Sequence, residues 1–153
     1  MQRVAEHLYS IAITLWVGAL WAIGYLAAPV LFRLLDDRAL AGRVAGEMFT
    51  YVAWLGIAAA AYLLVFVALR KEGGAFRSSV FWLVLLMLLL TVAGYFGVQP
   101  ILAQLKADSF PREVMESALR DRFVAWHGVS SVVYLVQSLL GLMLVALQGR
   151  GLR

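Results

Sequence analysis

The chain alternates long apolar runs with short polar interruptions. Four runs separate cleanly, over residues 8–31, 44–69, 80–102 and 123–147. Each is long enough for a helix rising 1.5 Å per residue to cross a hydrocarbon layer of ~30 Å. The first run exceeds the ~7–15 apolar residues of a cleaved signal and follows only a short charged head, Met1-Gln2-Arg3, so it reads as a retained helix. Between the third and fourth runs, Ser109 can cap a short helix over residues 111–122. Its first turn would carry Pro111 and Glu113, and Val114, Met115, Ala118 and Leu119 recur at helical spacing. The pattern predicts an all-α fold, an integral membrane four-helix bundle. Residues 1–153 form a single transmembrane domain in which an interfacial helix leads into the fourth span.

Composition removes the alternatives. Hydrophobic residues make up 63% of the 153 residues and charged residues 14%, against roughly 45–50% and ~25% in globular proteins. A soluble domain this small buries only about two thirds of its surface and cannot hide that much apolar area, and disorder requires the opposite composition. The expected partner is the lipid bilayer. The absence of cysteine excludes disulfides, thiolate metal sites and thiol catalysis.

The net charge of +4 comes from 13 Lys and Arg against 9 Asp and Glu. These basic residues sit at the ends of the apolar runs, where they anchor helices, so no nucleic-acid partner is expected. Four spans put both termini on one side with the loop over residues 70–77. That side carries Arg3, Arg70, Lys71, Arg77, Arg150 and Arg153; the other carries Arg33, Arg38, Arg43, Lys106, Arg112, Arg120 and Arg122. The count does not decide. The density of Arg70, Lys71 and Arg77 in one short loop favours cytoplasmic termini in a bacterial inner membrane. Reporter fusions at Arg153 and near Ala107 are expected to light up on opposite sides, with Arg153 cytoplasmic. Both on one side would sink the four-span count, and swapped sides only the orientation.

An internal repeat is expected. At an offset of 72 residues, Tyr51-Val52-Ala53-Trp54-Leu55-Gly56 falls on Phe123-Val124-Ala125-Trp126-His127-Gly128, and Tyr62-Leu63 on Tyr134-Leu135. Gly24-Tyr25 and Pro29 meet Gly94-Tyr95 and Pro100 at 70 or 71. Such halves would be two parallel helical hairpins related by an axis along the membrane normal. His127 breaks the match, standing where the first half has Leu55.

Polar side chains at membrane depth carry the functional signal. His7, Ile11, Thr14, Gly18, Trp21 and Tyr25 share one face of the first span, and His127, Ser130, Ser131, Tyr134, Ser138 and Gly141 one face of the fourth. Both stripes are expected to face the bundle interior, where small and hydroxyl residues also serve plain helix packing. Trp54, Trp82 and Trp126 lie near span ends as belt anchors, while Trp16 and Trp21 lie deeper and pack. The two histidines start helices that begin on opposite faces, ~25–30 Å apart, so one metal or haem cannot bind both. Arg33, Glu47, Gln99, Ser130 and Ser131 gather on the face of His127, which can handle a proton or, with Glu47, contribute to a metal site. Met48, Met87, Met115 and Met143 show no paired spacing for copper. No nucleophile–histidine–acid set, phosphate loop or HExxH pattern appears, which leaves no sign of hydrolase or kinase chemistry.

Ala118-Leu119-Arg120, Phe123 and Trp126, followed by His127-Gly128-Val129-Ser130-Ser131, resemble the signature of the transmembrane protein 205-like family. His7, Trp16-Val17-Gly18, Pro29-Val30-Leu31-Phe32-Arg33, Leu35 and Gln99-Pro100 extend the likeness over essentially the whole chain. The resemblance implies a four-helix membrane domain of uncharacterised activity, with eukaryotic members linked to secretory membranes and metal-drug tolerance. Tyr134 stands where it leads one to expect a small polar residue. The first span is also similar to that of copper-resistance D-type membrane domains, with a histidine before Trp-x-Gly. It is more loosely like the four-helix protoporphyrinogen oxidase family, although Arg33 and Leu34 stand where that family is expected to carry a further histidine.

These readings lead to a small polytopic protein assisting metal or small-solute handling. The alternatives are a tetrapyrrole-linked oxidoreductase and a scaffold or assembly factor. The partners left open are a metal ion, a small solute and a second copy of the chain; no cofactor is specified. The candidate functional residues are His127, Ser130, Ser131, Gln99, Arg33 and His7, with His127 and Glu47 as the candidate metal ligands.

Overall fold

The computed structural model describes residues 2–70, 74–109, 115 and 118–152. They form four long helices, α1 (Arg3–Leu34), α2 (Arg38–Arg70), α3 (Ser79–Ser109) and α4 (Arg120–Gly151), each containing one of the predicted apolar runs. Helices of 31–33 residues rise about 45–50 Å, more than the hydrocarbon layer needs, so their ends extend past the apolar slab. Asp37 sets the start of α2, its Oδ1 accepting the Leu40 N–H at 2.8 Å as an N-cap does. A single 3-10 turn, Ala75–Arg77, leads into α3.

Ser109 differs from expectation. It is the last residue of α3, and its hydroxyl donates to the Lys106 carbonyl at 2.8 Å, so it finishes one helix where the sequence suggests it caps the next. Of the predicted interfacial helix over 111–122, residues 111–114, 116 and 117 lie outside the described residues, and Arg120, Asp121 and Arg122 belong to the first turn of α4.

Each helix packs on its two neighbours in the chain, and α4 closes the ring against α1. Interhelical hydrogen bonds fix the antiparallel register of α1 and α4: the Tyr9 hydroxyl donates to the Gln148 carbonyl at 3.1 Å, and Trp21 Nε1 donates to the Ser138 carbonyl at 3.3 Å. The Tyr62 hydroxyl likewise ties α2 to the Ala5 carbonyl of α1 at 2.9 Å. At the same end, Arg70 pairs with Glu6 at 2.7 Å.

The core lies in the half of the bundle nearer the termini. Tyr9, Ile13 and Trp16 meet Leu63 and Val67, Val80 and Met87, and Leu144, all fully buried. In the other half the helices part, and every buried residue of α4 falls at Gln137 or beyond.

The expected inward stripe of α1 is turned outward over His7, Ile11, Thr14 and Gly18, and only its end, Trp21 and Tyr25, bears on α4. His7, Ile11, Thr14, Gly18, Trp21 and Tyr25 are exposed, and Tyr9, Ile13, Trp16, Val17 and Leu20 take the interior. Bulk decides, because the large rings and branched chains fill the space between helices. Thr14 has no need of a partner across the interface, since its hydroxyl donates to the Ser10 carbonyl of its own helix at 2.9 Å. The stripe of α4 is divided. Ser138 and Gly141 are buried, Ser130 and Tyr134 are half-buried, and His127 and Ser131 are exposed.

Both odd-numbered helices contain a wide π-helical stretch, Ala22–Ala27 in α1 and Ala93–Val98 in α3. The Ala28 N–H bonds to the Ile23 carbonyl and the Gln99 N–H to the Gly94 carbonyl, five residues back in each case. Pro29 and Pro100 follow directly. In a regular α-helix the proline ring collides with the carbonyl four residues earlier, and the wider turn relieves that collision. The two stretches start 71 residues apart, at 22 and 93.

Candidate ligand cavity

Where the helices part they leave a half-open cavity of about 560 Å³, within the ~300–1,000 Å³ of small-molecule sites. The π stretches contribute Gly24 and Tyr25 from α1 and Gly94 and Tyr95 from α3. α2 adds Phe49, Val52 and Ala53, and one face of α4 closes the fourth side.

The aromatic wall depends on close approach at two glycines. The Tyr134 ring occupies the space that a side chain at Gly24 would need, its hydroxyl 2.8 Å from the position of such a Cβ. That hydroxyl donates to the Leu20 carbonyl at 2.5 Å, and Phe49 meets the ring edge-on at 5.2 Å. Gly56 serves Trp16 in the same way, since a Cβ there would lie 2.5 Å from the indole Nε1. On the facing side, Trp54 Nε1 donates to the Tyr95 hydroxyl at 3.3 Å. Gly94 differs from both, with open space where its side chain would be.

Polar groups sit at two levels. Toward the outer end, His127, Ser130, Ser131 and Gln99 line the cavity together. The Ser131 hydroxyl donates to the His127 carbonyl at 2.9 Å, and the His127 ring stacks on Phe123 with centroids 5.8 Å apart. At the inner end stand Thr91 and Gln137.

Four of the sequence-predicted residues therefore converge, and three do not. Arg33 and Glu47 are exposed and off the cavity wall. His7 lies at the other end of the bundle, where its Nδ1 donates to the Arg3 carbonyl at 2.6 Å. Its neighbour Tyr9 reaches Gln148, 21 residues beyond His127, which places the histidines about 30 Å apart along the bundle axis. Among the described residues no three His, Asp or Glu side chains come close enough to hold a metal ion. Thr91 and Gln137 escape the sequence reading, which singles out Tyr134 and Ser138 and passes between them. The available signal is the amide itself, at mid-span in an apolar run.

The model of a family described only as a domain of unknown function, DUF4149, matches residues 11–111. The chain belongs to the DUF4149 family. The matched segment of this DUF4149 protein takes in the cavity walls of α1, α2 and α3 and stops before α4. His127, Ser130, Ser131 and Gln137 thus lie beyond it. No curated protein and no solved structure matches the chain.

Proposed function

We propose that this multi-pass membrane protein handles a small amphiphilic solute, which it takes up in the cavity between the two π stretches. The observation that carries the reading is the combination in one cavity of aromatic walls with His127, Gln99, Ser130 and Ser131 near its mouth. Ligand sites have this composition: a mostly apolar lining and a few placed polar groups. Wide helical turns also gather at functional sites. Small-solute handling is favoured over metal handling because the donor set around His127 is hydroxyls and amides, which suit an organic polar group better than a transition metal.

The His-Gly-x-Ser-Ser block supports a place beside the transmembrane protein 205-like proteins, and the paired π stretches support an ancient duplication of a helical hairpin. We place the protein in a bacterial inner membrane with both termini in the cytoplasm, on the basic density of the loop over residues 70–77.

Gly94→Phe tests the cavity without touching the core, because that position faces open space. Butylbenzene titrated calorimetrically into the protein in detergent is expected to bind the wild type and to be excluded by Gly94→Phe. Equal uptake by both returns the helices to a packing role. A Zn²⁺ or Cu²⁺ titration whose binding disappears in His127→Leu would instead assign metal handling.

A further inference from the structure

Around the cavity the four helices divide into two pairs. The π stretch of α1 and the segment beyond it pack on α2, and those of α3 pack on α4. Two seams remain between the pairs. Rings bridge the seam between α2 and α3, where Trp54 lies edge-on to Tyr95 at 5.9 Å and to Phe96 at 6.3 Å. The seam between α1 and α4 is bridged only as far as Tyr25 and Tyr134, whose rings stand 6.1 Å apart. Beyond them, among the described residues, no hydrogen bond or ring contact joins the two helices. The antiparallel register that sets Tyr25 beside Tyr134 brings Phe32 to the level of His127. Pro29 and Phe32 on one side of this slot, and His127 and Ser131 on the other, are exposed and line the cavity.

The polar groups of the slot lie at the depth of a lipid headgroup. Helices of this length overrun a hydrocarbon layer of ~30 Å by about 9 Å at each end. His127 follows the start of α4 at Arg120 by about 10 Å, which is the edge of that layer. The His127 ring, the Ser130 hydroxyl and the Gln99 side-chain amide line the cavity and make no hydrogen bond among the described residues. All three can donate. Among the described residues no Asp or Glu lines the cavity. A cation stands at its rim. The Lys106 ammonium lies 5.8 Å from the centre of the Phe123 ring, on which His127 stacks. The ammonium and the tip of Phe32 both lie over Gly42, 3.7 and 3.9 Å from where a side chain there would begin. Lys106 has no carboxylate partner, since the one ion pair among the described residues joins Arg70 to Glu6 at the other end of the bundle. Its side chain is exposed and its stem flexible, so the ammonium can meet a head seated at His127.

We infer that the occupant is a single-chain amphiphile of the bilayer whose anionic head, a carboxylate or phosphate monoester, is bound by Lys106, His127 and Ser130 while its chain lies in the cavity. This rests on the solute-handling reading above and names the chemistry and the source of the solute. Donors on the wall and a free ammonium at the rim complement an anion and oppose a cation. The slot lets the chain pass from lipid into the cavity without crossing water, and a volume of about 560 Å³ has room for one chain.

Octanoate, octan-1-ol and octylammonium share a chain and differ in the charge of the head. They are titrated calorimetrically into the protein in a nonionic detergent, with protein-free micelles as the blank. Octanoate is expected to bind wild type about tenfold tighter than octanol, the gain of a charge-assisted hydrogen bond, and octylammonium to bind weakest. In Lys106→Gln, octanoate should fall to within about twofold of octanol. Octanoate that binds wild type no tighter than octanol overturns the inference, as does a preference that survives in Lys106→Gln. The comparison of heads needs no mutation and stands if Lys106→Gln does not fold. Acetate at the same concentration should not displace octanoate; displacement would make this a site for a free anion from water and overturn the inference. Equal binding of all three probes, lost in Gly94→Phe, removes the anionic head and leaves the cavity reading intact. If no probe distinguishes wild type from Gly94→Phe, both fall together.

Discussion

Trp16→Ala is expected to lower the unfolding free energy of the bundle by about 3–5 kcal/mol, as truncation of buried tryptophan does elsewhere. Trp16 is fully buried on the inward face of α1, with Ile13 and Val17 beside it in the core. The absence of a side chain at Gly56 lets α2 come up against the indole. On that side the indole faces the backbone of Gly56, which has no side chain to move into the vacated volume. Trp16 also lines the cavity, so truncation opens the core into it. Unfolding in mixed micelles, followed by far-ultraviolet circular dichroism, measures the loss. Trp21→Ala is the control: Trp21 is 37% exposed and contributes one hydrogen bond to the Ser138 carbonyl, so its loss should cost clearly less. Equal losses would show that the packed half of the bundle is not where the stability resides.

His127→Leu is expected to leave stability within about 0.5 kcal/mol of the wild type, as surface changes usually do, while removing the biological activity entirely. His127 is exposed, lines the cavity and stacks on Phe123, and leucine retains much of that apolar contact. What leucine cannot replace is a ring nitrogen at the mouth of an otherwise largely apolar cavity. Growth of a deletion strain carrying the variant, with and without metal stress, reads the activity, and denaturation of the purified variant reads the fold. Full complementation by a normally folded His127→Leu would return the histidine to a structural role.

The four helices were legible because hydropathy along the chain reports what a bilayer demands of each segment. Orientation about each helix axis was not legible in the same way. In water a polar stripe and an apolar stripe have opposite fates, whereas in lipid the outside is as apolar as the inside. Tyr9, Ile13, Trp16 and Leu20 recur at the same spacing as Ile11, Thr14, Gly18 and Trp21, and only bulk and fit separate them. Hydroxyls mislead for a second reason. Thr14, Thr50, Thr91, Ser131 and Ser138 each donate to a carbonyl four residues back, so a hydroxyl at membrane depth does not announce a partner across the interface. A glutamine cannot satisfy itself so simply, and Gln137 reaches another helix. The convergence of His127, Gln99, Ser130 and Ser131 was readable from their common membrane face. The exclusion of Arg33 and Glu47 was not, since it depends on which way each helix is turned.

The prolines that follow the π stretches have an effect on phase. A turn that accommodates one residue more than an α-helix rotates everything beyond it by about 100° relative to what lies before. α1 and α3 are therefore each two helices in series, with separate angular registers joined inside a single membrane crossing. The segments nearer the termini are phased for their neighbours in the core, and beyond the wide turns Ala28, Pro29 and Phe32 of α1 and Gln99 of α3 come round to the cavity wall. One span can thus turn two different faces inward, one at the core and another further along, which no single straight helix could align.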